Sequence, residues 1–158
     1  MASVFKSFIA FSVMTFLCFS LCFYPFALAQ DSGTATFNTP PYVPSKCYGY
    51  EDRGVMIAAA SEGIFNNGEA CGRYYQVTCV SGTNEGTPFP CLVSGSVVVM
   101  ITDLCPPDSC RGTIDLSQEA FASIADPNSG VINISYQHNP QDLREEACIE
   151  ERTSTDFG

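Results

Sequence analysis

Between Cys47 and Cys110 the chain places six of its nine cysteines: Cys47, Cys71, Cys79, Cys91, Cys105 and Cys110. What they do depends on the compartment, because paired thiols oxidise outside the cytosol and stay reduced within it. The start of the chain bears on that question. Lys6 is the only charge before Ala29, and Phe8 to Ala29 is mostly apolar, rich in Phe, and closes on Phe26-Ala27-Leu28-Ala29-Gln30. A charged start, an apolar stretch and a small-x-small site are the parts of a signal peptide. Pro25 breaks the helix just ahead of a peptidase that reads extended chain. Residues 1–29 are therefore read as a signal peptide cleaved after Ala29. An uncleaved anchor is the rival, since the apolar stretch approaches the length that spans a bilayer.

In a secreted chain the six cysteines form a disulfide framework. A zinc site does not fit, because no C-x-x-C pair exists and His138 is the only histidine. Spacing does not decide which cysteine joins which. Cys105 and Cys110, bracketing Pro106-Pro107-Asp108-Ser109, are close enough to bridge locally or to face different partners. Cys148 stands alone in the C-terminal segment, open to pairing between molecules or to capping; without such pairing the protein is expected to be a monomer.

Charge narrows the partners. The chain carries 17 acidic and 7 basic residues, a formal net charge of −10, and loss of Lys6 makes the mature chain one charge more negative. Such a surface repels nucleic acid, anionic membranes and acidic polymers such as pectate. No cofactor motif is present.

The mature chain reads as short strands. Gly33 to Phe37 is β-prone and ends at Pro40-Pro41, and Val55-Met56-Ile57 suggests a second strand. Ser61 is placed to cap one helical turn that stops at Asn67-Gly68. Tyr75, Val77 and Cys79 alternate with polar neighbours, the period of a half-buried strand. Val97 to Ile101 is an unbroken apolar run, which predicts a strand buried on both faces. Ser117 caps a helix whose apolar face is Leu116, Ala120, Phe121 and Ile124, ended by Asp126-Pro127-Asn128-Ser129-Gly130. A last strand runs from Val131 to Tyr136. The expected fold is mainly β: a closed, irregular, disulfide-stapled barrel over residues 30–136 with one or two short helices. Residues 137–158 are acidic and poor in apolar residues, and are read as a solvated or frayed tail.

Six segments occur in an order that resembles a known family: Gly33-Thr34-Ala35-Thr36-Phe37, Gly54 to Ser61, Phe65-Asn66-Asn67-Gly68, Ala70-Cys71-Gly72, Asp103-Leu104-Cys105-Pro106 and Thr113-Ile114-Asp115-Leu116-Ser117. They are similar to the plant natriuretic peptides, also called endoglucanase-45-like domain proteins, which are related to barwin and to the first domain of expansins. The resemblance runs from about Gly33 to Tyr136. It implies a six-stranded double-psi β-barrel secreted to the plant apoplast. It further implies a hormone-like role in water and solute balance through a cell-surface receptor. A wall-binding protein that loosens or recognises polysaccharide without hydrolysis is the alternative.

Asp103 and Asp115 are the carboxylates to test, because glycoside hydrolysis usually needs two flanking the bond. Asp115 resembles the general acid of the family-45 endoglucanases. The second acid belongs in the first strand, where this chain reads Thr34-Ala35-Thr36-Phe37-Asn38. Both aspartates are therefore read as vestigial and the protein as non-catalytic, its carboxylates accepting hydrogen bonds from backbone or Arg111; a lytic mechanism on a single aspartate, as in bacterial relatives of the barrel, is the alternative. Tyr48, Tyr50, Arg53, Arg73 and Tyr74 form the candidate recognition surface, since Tyr and Arg are favoured anchors on loops; an ordinary solvated loop is the competing reading. Asn133-Ile134-Ser135 is the only glycosylation sequon, with Asn133 directed outward by strand alternation.

Overall fold

The computed structural model describes residues 30–108 and 110–139. The signal segment, most of the C-terminal segment and Cys148 lie outside them. Six strands form: β1 (Asp31–Asn38), β2 (Ile57–Ala60), β3 (Tyr74–Gly82), β4 (Ser96–Leu104), β5 (Ile114–Ser117) and β6 (Ile132–His138). They close into a barrel in the order β1-β5-β2-β4-β3-β6. β1 with β5 and β2 with β4 are parallel, and the other neighbours are antiparallel. This is a double-psi β-barrel.

Strand alternation fills the interior. Val77, Val99, Ile101, Ile114, Leu116, Ile132 and Ile134 all point inward and are buried. Helix α1 (Glu62–Phe65) is a single turn, continued by a 3-10 turn at Asn66–Gly68. Helix α2 (Gln118–Ile124) packs Ala120, Phe121 and Ile124 onto the barrel. The Phe121 ring lies 4.9 Å from that of Phe37. The Ser117 hydroxyl caps α2 by accepting from the Ala120 amide at 3.1 Å.

Three disulfides join Cys47 to Cys71, Cys79 to Cys91 and Cys105 to Cys110. The first ties the long β1–β2 loop to the turn before β3, and the second ties β3 to the β3–β4 loop. The third closes the loop between β4 and β5 locally.

Some expectations shift. The second strand is not Val55-Met56-Ile57: β2 is Ile57–Ala60, and Val55 and Met56 are exposed. Alanine is a poor strand former by propensity, but strands on both sides enforce pairing on Ala58, Ala59 and Ala60. β4 is not buried on both faces, because Val98 is 41% exposed; the outer wall of the barrel faces solvent and only alternate residues reach the core. Leu116 is a strand residue of β5 rather than part of the helix face. β6 continues two residues past Tyr136, so Gln137 and His138 belong to the barrel.

Candidate functional site

Inward-facing Ile114 and Leu116 leave Asp115 on the outer wall, where it sits in a row across four strands. Thr36 of β1 pairs with Asp115 of β5, Asp115 with Ala59 of β2, and Ala59 with Asp103 of β4. The aspartates are thus two strand spacings apart, roughly 10 Å between backbones. A register shift between Ala58 and Ala59 makes this possible: Thr102 is the extra residue that brings Asp103 level with Ala59.

The two carboxylates do different things. One oxygen of Asp103 accepts from the backbone amides of Lys46 (2.8 Å) and Leu104 (2.9 Å). It is therefore a clamp that holds the β1–β2 loop against β4, helped by the Cys47 amide donating to the Thr102 carbonyl. Asp115 has no backbone donor among the described contacts; it accepts the Thr36 hydroxyl at 2.6 Å. Burial raises its pKa above the usual carboxylate value, and the hydrogen bond from Thr36 works in the opposite direction. Asp115 is thus a half-buried carboxyl with a raised pKa whose partner among the described contacts is the Thr36 hydroxyl. No contact with Arg111 is found for either aspartate among the described residues.

Beside this row lies a shallow groove of only about 10 Å³, lined by Asn38, Tyr42, Thr102 and Asp103 with Ile57, Ala58 and Ala59 buried behind it. Tyr42 is one of five tyrosines, with Tyr48, Tyr50, Tyr74 and Tyr75, that the sequence offers as aromatic platforms for sugar. Its hydroxyl donates to Glu119 at 2.6 Å and accepts from the Gln118 amide at 3.2 Å, which fixes the ring over the start of α2. Its pKa is raised by burial and by the Glu119 hydrogen bond. Only the tertiary path of the β1–β2 loop brings Tyr42 here.

The candidate recognition residues divide. The Arg53 guanidinium stacks on the Tyr48 ring at 3.9 Å and pairs with Glu51 at 3.2 Å, the only ion pair among the described residues. Tyr48 also covers Gly72, whose φ of +83° and nearness to the Tyr48 hydroxyl leave no room for a side chain. Tyr50 is 82% exposed. Tyr74 starts β3 on its outer side, opposite Met100. Arg73 is directed elsewhere, into a separate cleft at one end of the barrel. The Asn133 side-chain amide donates to the Ser81 hydroxyl and the Gly82 carbonyl, so the nitrogen that would carry a glycan is engaged within the sheet.

Residues 57–136 match the profile of a family described as lytic transglycolase. An EG45-like domain containing protein of Citrus jambhiri is 52% identical over 124 residues, covering 78% of this chain and 93% of that protein. A putative EG45-like domain containing protein 1 of Arabidopsis thaliana is 44% identical, covering 83% and 97%. Expansin-B4 of Arabidopsis thaliana is 31% identical over 66% of this chain but only 37% of its own length. Among solved structures, an Asp-to-Asn mutant of a Clavibacter michiganensis expansin in complex with cellohexaose superposes with a TM-score of 0.52 at 26% identity, covering 70% of this chain. The chain spans half the length of that expansin. The sequence matches and the fold superposition agree: this chain belongs to the EG45-like domain containing proteins, relatives of the expansins.

Proposed function

We propose that the protein is an extracellular, non-hydrolytic binder of plant cell-wall glucan, which it holds across the Asp115 row beside the adjoining groove. The observation that carries this reading is the pairing of Asp115 with Thr36. One half-buried carboxyl can hold a sugar hydroxyl or hold a proton, but opposite it stands a hydroxyl, and Asp103 is committed to the loop backbone. Without a second free carboxylate, neither the inverting nor the retaining route can run. Ile57 and Ala59 are buried, so the aromatic edge that can meet the apolar face of a sugar ring is that of Tyr42. The complex of the Clavibacter expansin with cellohexaose supports the choice of ligand.

Calorimetric titration with cellohexaose tests it, run beside an assay for released reducing ends. Saturable binding without new reducing ends is expected, and Asp115→Ala should weaken binding about tenfold, the worth of one hydrogen bond to a charged group. Absence of binding, or the appearance of reducing ends, overturns the reading.

The hormone-like role through a cell-surface receptor is the second reading. It is supported by the family resemblance and by one surface, the exposed Tyr50 beside the stacked Tyr48–Arg53 pair. If it holds, protein carrying Tyr50→Ala loses its effect on protoplast volume while cellohexaose binding is unchanged.

A further inference from the structure

We propose that the open cleft at the barrel end is a second saccharide subsite, which takes the terminal unit of a neutral sugar chain crossing the Asp115 row. The inference rests on the glucan-binding reading above and extends it to residues which that reading does not use. The cleft has a volume of about 460 Å³, within the range of small-molecule sites.

Its position follows from strand alternation. Ser61 lies two residues beyond Ala59, and Thr113 two residues before Asp115, so both continue the outer faces of β2 and β5 toward the cleft. The Ser61 amide donates to the Thr113 carbonyl and holds the two strand ends together. The cleft therefore lies to one side of the middle of the row, about one alternation along the strands, and the groove at Ile57 lies on the other side. From there it turns over the rim into the mouth, where inward-facing Tyr75 and Tyr136 stand with ring centroids 6.4 Å apart.

The lining has the chemistry of a polyhydroxyl site. Arg73 donates and forms no ion pair among the described residues, Asp31 accepts, and Asn66 does both. The tyrosine rings offer apolar faces to ring C–H groups while their hydroxyls remain polar. Asp31 shares the cleft with Arg73, so an acidic sugar would meet a carboxylate as well as a guanidinium; the net charge of −10 opposes it further. The Tyr136 hydroxyl reports the same field: burial, then Asp31, then Tyr75 raise its pKa. A neutral terminal sugar is the class that fits.

Nuclear magnetic resonance on isotope-labelled full chain, produced through a secretory host, separates the outcomes. Cellohexaose should perturb the Arg73 side-chain NH and the Tyr136 ring together with Thr36 and Asp115. Arg73→Gln should weaken cellohexaose binding about fivefold, with the barrel amide spectrum retained and the Thr36 and Asp115 shifts still seen at saturation. Tyr136→Phe, which keeps the ring, serves as the second variant and should weaken binding less. Perturbation of Thr36 and Asp115 without Arg73 or Tyr136 overturns this inference and leaves the groove reading standing. Perturbation at Arg73 and Tyr136 alone keeps the cleft as a sugar site and overturns the groove reading. Tighter binding of glucuronate than of cellobiose at Arg73 overturns the assignment to a neutral sugar.

Discussion

Asp115 shows how one side chain can be neutral in cost at one pH and costly at another. Its folded pKa is raised by burial, so between the unfolded value of 3.8 and the higher folded value the native state binds more protons than the unfolded state. Stability must then fall as pH rises through that window. Asp115→Asn keeps an acceptor for the Thr36 hydroxyl and removes the titration. The variant is expected to melt no lower than wild type at pH 7 and to lose the stability decline that sets in as pH rises above 3.8, which thermal unfolding across pH 3.5–7 would check. Gly33 makes a second prediction at this scale. A Cβ there would run into the Thr113 side chain, whose hydroxyl accepts from the Thr34 amide. Gly33→Ala should destabilise by roughly 1–3 kcal/mol in urea unfolding, through overpacking and loss of that bond.

At the scale of elements, the β1–β2 loop is the longest irregular segment among the described residues, and the protein ties it down at several points. The Asp103 clamp, the Cys47–Cys71 disulfide and the Tyr42–Glu119 bond fix its middle and its start. Its end is held by Ser117, whose hydroxyl donates to the Val55 carbonyl while capping α2. Ser117→Ala thus removes a helix cap and a loop tether together, and should cost about 1–2 kcal/mol in the urea midpoint. The disulfides differ in the loops they close. Cys47–Cys71 spans 24 residues and Cys105–Cys110 spans 5. Replacing the first pair by serines should cost about 3 kcal/mol and the second about 2 kcal/mol by chain entropy. Comparison of the two double variants by denaturant unfolding tests that order.

For the molecule as a whole, closure of the barrel removes free sheet edges and leaves one wall, the β1–β5–β2–β4 face, as a continuous surface from the Tyr42 groove to the mouth cleft. A rigid wall suits recognition of an extended chain, because little ordering entropy is lost on binding. A surface of strong negative charge should also discriminate among wall polymers. Cellohexaose is expected to be retained over oligogalacturonate at low salt, with the difference shrinking as salt screens the repulsion; competition binding at two ionic strengths reads this directly.

Much of this was legible in the residues themselves. Alternation placed Val77, Cys79, Ile132 and Ile134 inside, Ser117 announced α2, and the order of motifs from Gly33 to Ser117 pointed to the double-psi barrel. These signals are local, since a strand's period and a helix cap depend on neighbours a few residues away. Ile57–Ala60 was missed as a strand for the same reason: its alanines carry weak preference, and β4 and β5 supply the pairing. The choice among cysteine pairings, the level placement of Asp103 with Asp115 through the extra Thr102, and the arrival of Tyr42 beside the groove were decided by tertiary structure alone. Each joins residues far apart in the chain, and distance between such residues is set by register and loop path, which no local pattern encodes.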